Sequence, residues 1–84
     1  MRITWDEPKR RSNLAKHGLD FADLAPEFFL TAYVEPAKDG RSLAIGEFNG
    51  LIVVVVVFRP PGSEAISVIS MRRANQSERS RAHD

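Results

Sequence analysis

The chain reads as an α+β domain with the element order β-α-α-β-β-β-β-α. It should form a small antiparallel-rich sheet with two N-terminal helices and a short C-terminal helix. Three observations predict this class. Leu51–Phe58 runs Leu-Ile-Val-Val-Val-Val-Val-Phe, and seven of these eight side chains are β-branched or aromatic, types that suit a pleated backbone. Cap residues and helical spacing are confined to the first part of the chain and to its last few residues. Turn signals, Asn49-Gly50 and Pro60-Pro61-Gly62-Ser63, divide the second half into consecutive strands. A chain of 84 residues is one domain, residues 1–84.

The valine run does not alternate with polar residues, so both faces of its strand should be covered. That makes it a central strand with a layer on each side. Full burial is worth roughly 1.5–3 kcal/mol per side chain, so the run contributes on the order of 10–20 kcal/mol before ordering entropy is subtracted. Left uncovered, the same segment would aggregate.

In chain order, Ile3–Trp5 is a short strand. Asp6 is then an N-cap, with Glu7 and Pro8 in the first helical turn. This helix runs to His17 and stops at Gly18, a left-handed C-terminal residue. Lys9, Asn13 and Lys16 fall on one side of it, Arg10 and His17 on an adjacent strip, and Leu14 just beyond, so the helix should have a thin apolar stripe and a broad polar face rich in donors. Asp20 is a second cap, with Asp23 at the favourable third position. Phe21, Leu24, Phe28 and Phe29 give an apolar face, inside which Pro26 should kink the helix or split it. Thr31–Glu35 reads as a strand and Pro36–Gly40 as a loop. Arg41–Phe48 is the next strand, with Leu43, Ile45 and Glu47 on one face and Ser42, Ala44, Gly46 and Phe48 on the other. Asn49-Gly50 predicts a two-residue hairpin turn into the valine strand. Glu64–Met71 returns as a strand, with Ile66 and Val68 on one face and Ile69 and Met71 on the other. Asn75 or Ser77 caps a last helix, Glu78–His83. The first two helices should cover one face of the sheet. The last helix, or a partner protein, must deal with the other.

Net charge is only +1, but the charges are unevenly placed. Residues 59–84 carry five arginines (59, 72, 73, 79, 81) against Glu64, Glu78 and Asp84, and residues 9–16 carry Lys9, Arg10, Arg11 and Lys16 with no acid. Local basic clusters on a near-neutral chain suit a polyanion site, or simply solvate helices. Cysteine is absent, which excludes disulfides and thiolate metal sites. No Gly-rich phosphate loop, nucleophile elbow or metal-spaced cluster is present, and His17 and His83 are too distant in sequence to form a local pair. No metal or cofactor is therefore expected. The N-terminus has no apolar signal region, and the expectation is a cytoplasmic protein without a membrane segment.

The candidate functional residues are Lys16-His17 at a helix end, Glu47 and Arg59 on or beside neighbouring strands, and Arg72-Arg73 past the last strand. Each also has a structural reading. His17 suits the negative end of a helix dipole, Glu47 an edge strand in water, the arginines solvated strand ends, and Trp5 a core anchor. Taken together, they offer arginine forks that hold a phosphodiester and an imidazole of the type that moves protons near neutral pH. A carboxylate adds a second acceptor for the 2′-hydroxyl proton. RNA supplies its own nucleophile in that hydroxyl, so such a site needs no metal. Stabilising the charged phosphorane is worth roughly 3–4 kcal/mol per well-placed donor. The set is compatible with RNA cleavage and equally with binding alone.

Trp5-Asp6, Lys9, Asn13, Lys16-His17-Gly18 and Phe21, followed by Ile69-Ser70-Met71-Arg72-Arg73-Ala74 and Glu78-Arg79, resemble the BrnT toxins of bacterial type II toxin–antitoxin pairs. The resemblance implies a RelE-like fold and a ribonuclease that arrests translation and growth. It implies a BrnA-like antitoxin with a ribbon-helix-helix DNA-binding part, through which alone operator DNA is reached. Carried onto this chain, it favours Lys16, His17 and Arg72. Chemistry adds Arg73, Glu47 and Arg59. The catalytic candidates are thus His17, Glu47, Arg59 and Arg72, and the RNA- or phosphate-binding candidates Lys9, Lys16, Arg73 and Arg79. Two positions depart from the family pattern: Met71 stands where alanine is commoner, and Ala82 where many relatives carry tyrosine. The other function class is a non-enzymatic module that binds a partner or nucleic acid and acts with a DNA-binding antitoxin in operon repression. Neither N-terminal helix has a helix-turn-helix pattern. The mechanism requires Lys16–His17 and Arg72–Arg73 to converge on one cationic cleft.

Overall fold

A computed structural model of the chain describes residues 2–50, 52–59 and 65–83, the last by its backbone only. The start of the valine strand at Leu51, the Pro60–Ser63 loop, Glu64 and the His83 side chain lie outside the described residues.

The strands are β1 (Arg2–Trp5), β2 (Tyr33–Pro36), β3 (Ser42–Phe48), β4 (Ile52–Arg59) and β5 (Ala65–Arg73), and the helices α1 (Glu7–His17), α2 (Pro26–Thr31) and α3 (Gln76–His83). They form one sheet in the order β1-β5-β4-β3-β2. The meander from β2 to β5 is antiparallel throughout, and β1 adds parallel to β5. The valine strand β4 therefore lies at the centre, where an uninterrupted apolar run belongs.

The two faces of β4 have different covers. Val54, Val56 and Phe58 face the main core with Leu19, Phe21, Leu24 and Phe28 from the helical side. Ala44 and Phe48 join them from β3, and Ile66, Val68 and Met71 from β5. Phe29 stands edge-on to both Phe28 and Phe58, with ring centroids 5.2 Å apart in each pair. On the opposite face Val55 is paired with Ile45, both buried, and α3 lies against β3 on this side. Close approach of α2 depends on Gly46, where a Cβ would come within 3.3 Å of both Ala32 and Phe28.

Local chemistry sets the boundaries. Pro26 splits the apolar segment: a 3-10 turn at Phe21–Asp23 is capped by Asp20, which accepts from the Ala22 N–H at 2.9 Å, and α2 begins at Pro26 itself. Gly18 closes α1 at φ 71°. Asn75 caps α3 by accepting from the Glu78 N–H at 2.8 Å, while Glu78 accepts from the Asn75 N–H at 2.9 Å, a reciprocal capping box.

Four expectations need correction. Asp6 occupies the N-cap position of α1, but its side chain makes no capping hydrogen bond. Leu14 supplies no buried stripe, being 39% exposed, and the residue α1 buries is Asn13. The Asn49-Gly50 turn has positive φ at both residues, but the ladder ends at Phe48↔Ile52. One residue more than a two-residue turn therefore lies between the paired positions. Finally, Ile66, Val68 and Met71 share one face. The β4–β5 register steps from Val57↔Ser70 to Phe58↔Val68, so Ile69 is the extra residue of a bulge that resets the alternation.

Candidate functional site

Strand β1 ends at Trp5, paired with Val68. Beyond that point β5 has no strand on its outer side, and α1 packs there instead. The side chain of Asn13 takes the missing strand's place. Its Nδ2 donates to the Met71 carbonyl at 2.9 Å and to the Leu19 carbonyl at 3.1 Å, and its Oδ1 accepts from the Met71 N–H at 3.1 Å. Asn13 thereby fixes the helix face that carries the candidate cations.

A shallow groove of about 300 Å³ lies between α1 and β5, lined by Lys9, Ser12, Asn13, Lys16, His17, Ile69 and Ser70. Lys9 and Lys16 form no ion pair among the described residues. Their neighbour Arg10 differs. Its guanidinium donates to Glu7 at 2.8 and 2.7 Å and to Asp20 at 3.1 and 3.0 Å. Hydrogen bonds from Arg10, then from the Trp5 indole, hold the Glu7 carboxyl down to about 2. The backbone N–H of Ala22, then Arg10, lower that of Asp20. Arg10 thus ties α1 to the following turn. Arg11 also pairs with Glu7, at 3.4 Å. The basic run 9–16 leaves Lys9 and Lys16 as the cations facing the groove.

Arg72 stands beside this groove. Ser70 pairs with Val57 and Arg72 with Val55, so both project from one face of β5, about 7 Å apart along the strand. The Arg72 guanidinium donates in a fork to Glu78 of α3 at 2.8 and 2.7 Å. Glu78 is buried, and this fork, opposed by burial and aided by the Asn75 N–H, holds its carboxyl down to about 2. The same bond raises the pKa of Arg72. Arg73 is exposed and pairs with Val54, so it projects from the face of the sheet that carries the main core. Adjacent arginines on a strand must point apart.

The remaining candidates are dispersed. Glu47 pairs with Val53 on β3, two strand spacings, roughly 10 Å, from β5. It lines a separate cavity of about 260 Å³ with Thr31, Tyr33, Ile45, Gly46, Val53 and Ala82. Arg59 is exposed at the far end of β4, opposite Ser67, about 13 Å along the strand from the Arg72 row. Arg79 is exposed on α3. The structure therefore gathers Lys9, Lys16 and His17 with Arg72 alongside, and does not bring Glu47 or Arg59 to them. Sequence reasoning passed over Ser12, Ser70 and Tyr33, which carry no spacing signal. It also passed over Glu78 as the holder of Arg72, although Asn75-x-x-Glu78 was legible as a capping box. Among the described residues no group of three or more His, Asp or Glu is placed to hold a metal ion, and no helix is long and apolar enough to cross a membrane.

The fold and the site define a class: a small α+β domain with Lys9, Lys16 and His17 gathered in a groove along one sheet edge. Comparison with known proteins gives the class a family. The family model described as ribonuclease toxin, BrnT, of type II toxin-antitoxin system matches residues 5–78, and the chain belongs to that family. Its structure is similar to the crystal structure of the Brucella abortus ribonuclease toxin BrnT, with 68% sequence identity and a TM-score of 0.86 over 90% of this chain and 99% of that one. No curated protein matched the chain. Membership makes it a ribonuclease toxin of a type II toxin–antitoxin system, with an antitoxin as partner.

Proposed function

We propose that this toxin, a single RelE-like domain over residues 1–84, cleaves RNA in the cytoplasm without a metal ion and so inhibits translation. The observation that carries the reading is the edge groove, where Lys9, Lys16, His17 and Ser70 lie together and Arg72 follows Ser70 on the same strand face. Lysines and arginine there suit the phosphates of a single strand. The His17 imidazole takes the proton of the 2′-hydroxyl, and the 2′-oxygen attacks phosphorus. The bond from phosphorus to the 5′-oxygen breaks, water protonates the departing oxygen, and a 2′,3′-cyclic phosphate remains. Arg72 offers its guanidinium to the charged phosphorane, and Glu78 acts as a positioning residue that holds Arg72 in one rotamer. A BrnA-like ribbon-helix-helix antitoxin neutralises the toxin, and operator DNA is contacted through that antitoxin.

Purified protein incubated with RNA in the presence of a chelator tests the reading. Cleavage should persist, yielding cyclic phosphate ends. Arg72→Ala should lower the rate at least about 100-fold, the loss of one well-placed donor, and abolish growth arrest while circular dichroism remains folded. Toxicity unchanged in soluble Arg72→Ala would remove Arg72 from the mechanism. RNA retained but left intact by the wild-type protein would favour a binding module.

A further inference from the structure

The cavity holding Glu47 lies outside the cationic groove, and its lining is of a different kind. Tyr33 of β2 pairs with Ile45, and Glu47 is two positions further along β3, so Tyr33 and Glu47 are diagonal neighbours on one face. Such pairs sit roughly 7–8 Å apart, within reach of long side chains. Both are exposed, Tyr33 at 41%. Ile45 and Val53 floor the cavity, Thr31 adds a hydroxyl, and Ala82 of α3 forms one wall. A volume of about 260 Å³ is below the range of whole-ligand pockets and suits one planar group.

Charge decides what that group is. In the adjoining hollow Glu47 is joined by Asp23 and Glu27, and three carboxylates repel a phosphate. The uncharged base end of a nucleotide is what this wall admits. Single-stranded RNA is read by stacking bases on aromatic rings and bonding their edges. An ionised carboxylate is acceptor-only, so the complementary edge carries two adjacent donors. Guanine presents them in N1–H and the 2-amino group. Adenine and cytosine each offer one donor beside an acceptor, and uracil one donor between two acceptors.

We propose that Tyr33 and Glu47 form a guanine-binding subsite, with the base stacked on the Tyr33 ring and its N1–H and 2-amino groups donating to the Glu47 carboxylate. The subsite rests on the ribonuclease reading for its substrate, but its test reads binding and not cleavage. Fluorescence anisotropy of the full chain is measured with uridine-run oligoribonucleotides, one carrying a single guanosine and the other none, in chelator. The guanosine oligomer should bind at least about fivefold tighter, as a bidentate pair implies. Inosine, which lacks the 2-amino group, should fall between. Glu47→Gln, with one acceptor and one donor, should erase the preference, and Tyr33→Ala should weaken it. Thermal melts show whether each variant is folded, and Tyr33→Phe, which keeps the ring, should restore the preference. Equal binding of the two oligomers, or a preference intact in folded Glu47→Gln, overturns the subsite. Loss of antitoxin binding in Glu47→Gln with RNA preference unchanged reassigns the cavity to the antitoxin and also overturns it. Guanosine preference without cleavage would leave the subsite standing and sink the ribonuclease reading alone.

Discussion

At the scale of single residues, Asn13 couples the fold to the site. It is 7% exposed, and its amide satisfies the Met71 N–H and the carbonyls of Met71 and Leu19. Orphaning a buried polar group costs about 1–3 kcal/mol. Asn13→Ala should therefore destabilise the protein by roughly 2–3 kcal/mol, a fall in Tm of about 10–20 °C for a domain of this size. Asn13→Asp should be worse, because a carboxylate cannot donate to either carbonyl. Thermal denaturation of both variants checks the order: a harmless Asn13→Asp would mean that α1 is held by something else. Asn13 is one of the positions at which the chain resembles its family, yet a lone asparagine among lysines reads as a polar surface residue. Nothing in local spacing reveals that β1 stops opposite Val68 and leaves Met71 for it to satisfy. Arg10 shows the converse. It counts as one more positive charge in a basic run; its pair with Glu7 is an ordinary i,i+3 contact of the helix, but its engagement by Asp20 rests on a chain reversal that periodicity does not report.

At the scale of elements, α3 is the most weakly founded. It has few apolar residues, so its docking leans on the Asn75–Glu78 capping box and the Arg72–Glu78 fork. The fork is half in water on the Arg72 side, 40% exposed, which discounts its strength. The Glu78 carboxyl, ordinarily near 4.5, is lowered to about 2. A lowered acid contributes stability above its unfolded pKa and loses it as pH falls through the folded value. Docking of α3 should thus hold at neutral pH and fade between about pH 4.5 and 2. Glu78→Gln should remove most of that dependence and cost about 1–3 kcal/mol at pH 7. Amide exchange across α3 against pH would read both effects, and exchange protection in α3 independent of pH would show that packing alone holds it.

Strong local chemistry made most elements legible beforehand. The valine run could only be a central strand, Pro26 could only begin or break a helix, and Gly18 could only end one. The faces of β5 were not legible. The bulge at Ile69 is set by pairing with β4 across the sheet, and a strand read alone alternates without interruption. The site was legible in the same measure. Lys16 and His17, close on one helix, stayed together, while Glu47 and Arg59 depended on register and separated.

For the molecule as a whole, position in the sheet decides what each region can do. The central strands are covered by helices on one face and partly by α3 on the other. The groove opens where β1 has ended and β5 presents an edge. A near-neutral chain with Lys9 and Lys16 at that edge should bind RNA through few phosphate contacts. Each neutralised phosphate adds about 0.7 to the slope of log K against log salt on a single strand. Lys9, Lys16 and Arg73 together then give a slope of roughly −2, far shallower than that of a generally basic protein. Replacing both Lys9 and Lys16 with alanine should flatten it by about 1.4. Arg10→Gln should leave the slope unchanged, since the charge it removes is already matched by Glu7 and Asp20, although it loosens the join between α1 and the turn after it. Binding isotherms across a salt series separate the two variants. A slope that responds to Arg10 and not to the lysines would move the RNA off this edge, because counterion release counts only the cations that the phosphates reach.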